Sequence, residues 1–356
     1  MEATKRKKTK IIQIGNKKIG GNLPILVQSM TNTPTRDIKK TVSQIKKLEK
    51  AGCEIIRVGI PDIESAKAIS EIKKQINIPL VADIHFSSAL AKESILQGAD
   101  KIRINPGNFP KKDLKEIVKL AKERNVPIRV GVNSGSLEKD LLEKYGHSSA
   151  KALAESALRN VNLLEKLGFD NIVISAKATD VLRTIEVYEI LSQKTNYPLH
   201  LGVTEAGGKF TGSIKSAIAL GYLLKKGIGD TIRVSLSCDP VEEVKVAFEI
   251  LKSLEIREFG PKIISCPTCA RTKIDVVGIS KRIEKLTKNF KKPIKIAIMG
   301  CVVNGLGEGK EADLAIVGAG KNLAFLMKGG KIFKKLETQK AVNLLEKEIK
   351  KLMESQ

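Results

Sequence analysis

Residues 77–105 read Asn77-Ile-Pro-Leu-Val-Ala-Asp-Ile-His-Phe-Ser-Ser-Ala-Leu-Ala-Lys-Glu-Ser-Ile-Leu-Gln-Gly-Ala-Asp-Lys-Ile-Arg-Ile-Asn105. A short β-branched apolar run, Leu80–Ile84, is followed by a polar loop, an amphipathic helical pattern, Ala89–Gln97, and a second run, Lys101–Asn105. Strands that alternate with helices in this way form parallel sheet. The same unit recurs outward in both directions, from residue 24 to residue 238. Its strands are Pro24–Met30, Glu54–Gly59, Leu80–Ile84, Lys101–Asn105, Ile128–Val132, Ile172–Ser175, Leu199–Val203 and Thr231–Leu236. Helical patterns such as Glu64–Gln75, Ala150–Leu167, Leu182–Lys194 and Ser213–Lys226 lie between them. Eight such units predict a closed (β/α)8 TIM-type barrel rather than an open doubly wound sheet.

Val241–Leu254 reads as the last barrel helix, and Arg257–Lys262, with Gly260-Pro261, as a linker. A smaller α/β unit is expected beyond it. It comprises Lys262–Ser265, a helix near Gly278–Thr287, the strand Ile294–Met299, a Gly-rich loop Cys301–Gly309, the strand Leu314–Val317 and a closing helix Leu336–Met353. The division falls at 1–256 and 257–356. A length of 356 residues suits it, a barrel alone taking about 250.

No apolar run approaches the roughly 18 residues of a membrane span. Met1–Lys10 is basic but lacks the apolar stretch of a secretory signal, so a cytoplasmic protein without membrane contact is expected. The net charge of +24 raises nucleic acid as a partner. The lysines, however, are spread over almost every helix, as in Ile38–Lys50 and Asp113–Arg124, which marks solvated faces. Aromatic residues make up 4% and Trp is absent, which disfavours stacking on bases. No nucleic-acid partner is expected.

Within the strands one pattern repeats: Ile56-Arg57-Val58, Ile102-Arg103-Ile104, Ile128-Arg129-Val130 and Ile232-Arg233-Val234. Side chains alternate across a strand, so each Arg points into the barrel if its β-branched neighbours face the helices. Lys177, just past the sixth strand, adds a further cation. Asp83 and Glu205 are too few to neutralise them all, and buried guanidiniums need anions. Diphosphate is favoured, because Arg forks match phosphate oxygens in bidentate fashion. Gln28, Ser29, Asp83, His85, Asn105, Asn133, His200 and Glu205 are polar groups at strand ends aimed at the same mouth, where this fold places its chemistry. Two glycines after Glu205 would let a ligand approach.

Of the five cysteines, Cys266, Cys269 and Cys301 crowd into the second unit, while Cys53 and Cys238 stand alone as core or strand-end residues. An odd count in a reducing compartment points to metal or catalytic use. Cys266-Pro-Thr-Cys269 is a two-thiolate grip. Structural zinc wants four closed ligands, yet all three His residues, His85, His147 and His200, lie in the barrel. A cubic iron–sulfur cluster needs four attachment points. Three Cys with Glu308, seven residues after Cys301, would supply them and leave one iron open to exchange.

Ser265-Cys-Pro-Thr-Cys269, Met299-Gly-Cys-Val-Val-Asn-Gly305 with Glu308, Gln28–Thr33, Arg129–Asn133 and Leu201–Gly207 together resemble the 4-hydroxy-3-methylbut-2-enyl diphosphate synthase family, in the two-domain bacterial form. The likeness runs from about residue 10 to 335 in the same order. It implies an isoprenoid-pathway oxidoreductase with a [4Fe–4S] cluster on Cys266, Cys269, Cys301 and Glu308. It implies that 2-C-methyl-D-erythritol 2,4-cyclodiphosphate is reductively opened to 4-hydroxy-3-methylbut-2-enyl diphosphate and water. The implied substrate contacts are Arg57, Asp83, His85, Arg103, Asn105, Arg129, Asn133, Lys177, Arg233 and Ser235, with Glu205 and Glu308 catalytic. Flavodoxin or ferredoxin would donate the electrons, and two chains would form a homodimer. Ala270 and Leu306 depart from the Gly and Pro usual in this family, without removing a ligand. Two other readings stay open at this point: a redox-silent barrel transferase with structural zinc, and a basic nucleic-acid-binding protein.

Overall fold

The computed structural model describes residues 6–288 and 290–354. The chain divides into two compact units, one ending at Arg257 and the other beginning at Glu258.

The first unit is a parallel eight-stranded barrel: β1 Leu26–Met30, β2 Ile55–Gly59, β3 Leu80–Asp83, β4 Lys101–Ile104, β5 Ile128–Asn133, β6 Ile172–Lys177, β7 His200–Leu201 and β8 Thr231–Ile232. The ladder runs β6-β5-β4-β3-β2-β1-β8-β7. A parallel bridge between Ile174 and Leu199 closes β6 onto β7, with Ile174 N donating to Pro198 O at 2.9 Å. Helices follow the strands and start where short polar side chains cap them: Asp37, Asp62, Ser87, Ser149 and Asp180 each accept a backbone N–H three residues on.

β7 and β8 are shorter than Leu199–Val203 and Thr231–Leu236, the lengths expected from apolar content. Beyond Leu201 the backbone donors leave the ladder. Thr204 N donates to Ala178 O at 3.0 Å and Ser237 N to Gly207 O at 2.9 Å, so these segments turn into loops over the mouth. A hairpin not foreseen in the sequence, Ile12–Ile14 with Lys17–Ile19, plugs the opposite end. Its Ile12, Ile14 and Ile19 pack on Leu26, Ile55, Val81 and Val173, forming the barrel floor. Just before it, the chain is sewn to the entries of β7 and β8: Lys7 N donates to Gly227 O at 3.1 Å and Lys10 N to Asn196 O at 2.7 Å. Arg6 Nη2 reaches Gly229 O at 3.0 Å, and Thr9 Oγ1 reaches Asp230 Oδ1 at 2.8 Å.

The second unit is a five-stranded mixed sheet: β9 Pro261–Ser265, β10 Ile294–Met299, β11 Leu314–Gly320, β12 Leu323–Lys328 and β13 Lys331–Glu337, in that order. β9 to β11 are parallel and the rest antiparallel. Helices Val276–Thr287 and Thr338–Glu354 bury Ile279, Ile283, Leu345 and Ile349 against Ile296, Ile298 and Ile316. The segment expected to be a Gly-rich loop, Cys301–Gly309, is instead the helix Val302–Lys310 on the other face. Its glycines serve close packing: a Cβ on Gly305 would lie 2.3 Å from Val317 Cγ1, and one on Gly309 2.4 Å from Met327 Sδ.

Candidate active site

The arginines, a lysine and their polar neighbours converge where the strands end. Arg57, Asp83, His85, Arg103, Arg129, Asn133, Ser175, Lys177, Thr204, Arg233 and Ser235 line a cavity of about 100 Å³. Arg103 and Arg129 are paired in register on β4 and β5, and Asp83 on β3 is paired with Arg103. Asp83 ties the cluster together. Its Oδ1 accepts from Arg103 Nη1 at 3.2 Å, and its Oδ2 lies 3.7 Å from Arg57 Nε. Arg103 Nη2 also donates to Gly131 O at 3.1 Å. Arg57 donates to the Met30 sulfur from Nε at 3.1 Å and Nη2 at 2.9 Å. Two glycines, one on β5 and one just past β7, make room for the long cations. A Cβ on Gly131 would lie 2.1 Å from Arg103 Nε, and one on Gly202 2.7 Å from Lys177 Nζ.

The cations outnumber their partners. Arg129 is 1% exposed, and its Nε and Nη1 have no hydrogen-bond partner among the described residues; nor do Arg103 Nε and Arg233 Nε. Burial opposes the Asp83 carboxylate, yet Arg57, Arg103 and Arg129 together hold it well below the usual carboxylate range. Lys177 is driven well below its ordinary value by burial and then by Arg129 and Arg233. Arg233 is pulled down to about 10 by burial and by Arg57, against Glu243. His85 is half exposed at the rim, with Nε2 3.0 Å from Arg103 Nη1. Burial and Arg103 lower its affinity for a proton, although Asp83 partly offsets them. Such a site is suited to an anion, because donors without partners are satisfied by an incoming acceptor.

Several expected residues stand elsewhere. Glu205, counted as an inward carboxylate, is exposed on the turn after β7, with φ +51, and is absent from the cavity lining. The carboxylate that does join Asp83 is Glu243, on the helix Pro240–Ser253, 3.6 Å from Arg233 Nη2. It also accepts from Leu236 N at 2.9 Å. An acidic residue in the first turn of a helix is so ordinary that nothing in the sequence distinguished it. His200 lies deep and fully buried, with Nδ1 2.8 Å from Thr231 Oγ1 and Nε2 3.3 Å from Lys177 Nζ. Asn105 is 6% exposed beside the mouth, its Oδ1 unpartnered among the described residues. Gln28 and Ser29 are buried outside the lining. Ser175 and Thr204 were missed, although Ser175 shares the strand face of Lys177 and alternation alone would have found it.

In the second unit, Cys266 directly follows β9 and Cys301 follows the neighbouring β10, with Ser265 opposite Ile298. Gly300 N donates to Cys266 Sγ at 3.0 Å, and Lys273 N donates to Gly300 O at 2.8 Å. Cys269 is exposed. The N–H of Arg271, with Thr272, draws its thiol below the ordinary value against slight burial. Glu308 lies two turns beyond Cys301 on one helix face, a rise of about 10 Å. No three or more His, Cys, Asp or Glu side chains stand gathered as a metal site among the described residues. The donor set still fits a soft iron–sulfur centre: two cysteines on adjacent strand ends, one sulfur already accepting an N–H, an exposed third cysteine, and no His in this unit. Cys53 is an inert core residue, its thiol pushed up to about 12 by burial.

Comparison with known proteins accords with this arrangement. A synthase from Caldanaerobacter subterraneus subsp. tengcongensis, 4-hydroxy-3-methylbut-2-en-1-yl diphosphate synthase (flavodoxin), is 58% identical over 352 residues, 99% of each chain. One of the same name from Geobacillus thermodenitrificans is 54% identical over 354 residues, 99% of this chain and 94% of the other. Among solved structures, dihydropteroate synthase from Xanthomonas albilineans, in complex with 7,8-dihydropteroate, has a TM-score of 0.50 at 12% identity. It covers 69% of this chain and 99% of its own, a likeness of fold alone. The GcpE TIM-barrel domain matches residues 9–248 and the GcpE protein C-terminal domain matches residues 262–351, and the chain belongs to the GcpE family.

Proposed function

We propose that the chain opens and reduces 2-C-methyl-D-erythritol 2,4-cyclodiphosphate to 4-hydroxy-3-methylbut-2-enyl diphosphate and water, a step of non-mevalonate isoprenoid synthesis. The observation that carries this reading is the excess of buried, unpartnered guanidinium donors in the barrel cavity. It occurs in a chain 58% identical to a synthase of that diphosphate. The reaction takes up two electrons and one proton, because the freed phosphate oxygen stays ionised. A ring C–O bond breaks to free the phosphate oxygen, a hydroxyl leaves as water, and a carbon–carbon double bond forms.

Arg57, Arg103, Arg129, Lys177 and Arg233 position the diphosphate. Their donors are set before the substrate arrives, so little reorganisation is needed as charge develops. Asn105, Asn133 and Ser235 add neutral hydrogen bonds, and His85 closes the rim. Asp83 keeps three guanidiniums facing one another in the absence of ligand. Glu205, or a water at the mouth, protonates the departing hydroxyl. Cys266, Cys269, Cys301 and Glu308 would hold a [4Fe–4S] cluster, which when bound supplies one-electron reduction from a flavodoxin or ferredoxin. The diphosphate site belongs to one unit and the cysteines to the other, so turnover requires the two to meet; a homodimer is the assembly proposed for this.

Anaerobic purification with iron, sulfide and zinc counts tests the cofactor, and turnover of the cyclic diphosphate with reduced flavodoxin tests the reaction. About four iron and four sulfide per chain, with product formed, is expected. A colourless protein holding one zinc after anaerobic reconstitution would end the reductive reading. No observation favours the zinc-bearing transferase or the nucleic-acid-binding protein.

A further inference from the structure

The lumen holds a lysine that this chemistry does not use. Lys101, at the start of β4, is 0% exposed, and its Nζ has no hydrogen-bond partner among the described residues. It is paired in register with Val81 of the barrel floor, whereas Arg103, two residues on, is paired with Asp83 and Arg129. Residues two apart share a strand face, so Lys101 lies one pleat, about 6–7 Å, beneath the guanidinium layer.

Its neighbours offer it no relief. Arg57 and Arg129 add like charge to the effect of burial, and Arg103 rises from the same strand. Asp83 is engaged by Arg57 and Arg103, and Glu243 by Arg233. Lys177 is also deep, but it shares a hydrogen bond with His200, which is tied in turn to Thr231. An unpaired buried ammonium is far costlier than a buried amine.

We propose that Lys101 is a neutral amine in the ligand-free barrel and takes up a proton when an anion fills the cavity above it. The inference rests on the anion-binding reading of that cavity. A bound diphosphate reverses the local field: phosphate oxygens offset the guanidiniums, and an ammonium one pleat below is attracted rather than repelled. By linkage, the anion and the proton strengthen each other's binding by the same factor. Ring opening frees a further ionisable phosphate oxygen, so the product carries more negative charge than the substrate. Lys101 offsets that increase without adding repulsion to the empty barrel.

The test is calorimetry of inorganic diphosphate binding to the full-length chain, in buffers of differing ionisation enthalpy near about pH 8, for the wild type, Lys101→Met and Lys101→Arg. Methionine keeps the length without a proton site, and arginine keeps the charge permanently. The wild type is expected to take up about one proton per diphosphate more than either variant, and its affinity to fall up to about tenfold more per rising pH unit. Lys101→Arg should bind diphosphate more tightly than Lys101→Met. Equal uptake in all three proteins, or none in the wild type, overturns the inference while leaving the anion site standing. If Lys101→Met fails to fold, the wild-type count and the arginine variant decide. A folded wild type that binds no diphosphate overturns the anion site and this inference together.

Discussion

Replacing Asp83 by Asn removes the anion around which the lumen is arranged. Its carboxylate faces Arg103 at 3.2 Å and Arg57 at 3.7 Å, and it is 7% exposed. At an effective dielectric of about 20, a pair at such separations attracts by roughly 4–5 kcal/mol. Asparagine forfeits both attractions but also escapes the cost of burying a charge, so the net loss of stability should be about 3–5 kcal/mol, as for other broken buried pairs. Urea unfolding followed by circular dichroism measures it. Acid adds a signature. Asp83 in the folded state titrates below its unfolded value of about 3.9. Its contribution is therefore complete above that unfolded value and is lost as pH falls through the lowered folded one. The gap between the two proteins should narrow in strong acid. Inorganic diphosphate should stabilise Asp83→Asn more than the wild type, since it takes over the missing negative charge; at 100 times Kd a ligand contributes about 2.7 kcal/mol. A variant within about 1 kcal/mol of wild type, or one gaining less from diphosphate, would refute the view that Asp83 balances the guanidiniums.

Changing Cys301 to Ser should cut iron from about four per chain to a small fraction after anaerobic reconstitution, with the circular dichroism spectrum unchanged; full iron and sulfide would contradict the ligand assignment. Gly305→Ala pushes a methyl to 2.3 Å from Val317 Cγ1 and should cost about 1–3 kcal/mol in thermal unfolding, and an unaltered melt would show that this helix is not tightly seated. Glu243→Gln weakens the hold on Arg233 while keeping an acceptor for Leu236 N, so inorganic diphosphate should bind several-fold more tightly by calorimetry, and weaker binding would show that Glu243 assists the anion.

The barrel was legible because two periods alternate in the sequence, and because an arginine set singly between β-branched residues must face the lumen while its neighbours face the helices. The lengths of the central strands followed from that signal; those of β7 and β8 did not, since their apolar runs continue past the point where the backbone leaves the ladder. The floor hairpin was hidden because strands of three residues are too short for alternation to register. In the second unit, β13 is a lysine-rich edge exposed over nearly its whole length, so it shows no apolar face. Gly329-Gly330 between β12 and β13, both with positive φ, was the available hairpin signal. The helix after Cys301 was misread because glycine marks both loops and tight packing, and only tertiary neighbours separate the two. At the site, strand alternation delivered the cation set. Glu205 and Glu243 exchanged places because loop geometry and helix entry lie outside any periodic pattern.

The stitching of residues 6–10 to the entries of β7 and β8 has a consequence for how the chain is made. Arg6 leaves the ribosome well before its partner Gly229, which follows 223 residues later. At about 5–20 residues per second that interval is roughly 10–45 s. During it Ile12, Ile14 and Ile19 have no complete floor to close, and the nascent chain carries an uncovered apolar segment. Barrel assembly therefore waits on its last strands, and cellular holdases should meet this protein chiefly through the hairpin of residues 12–19.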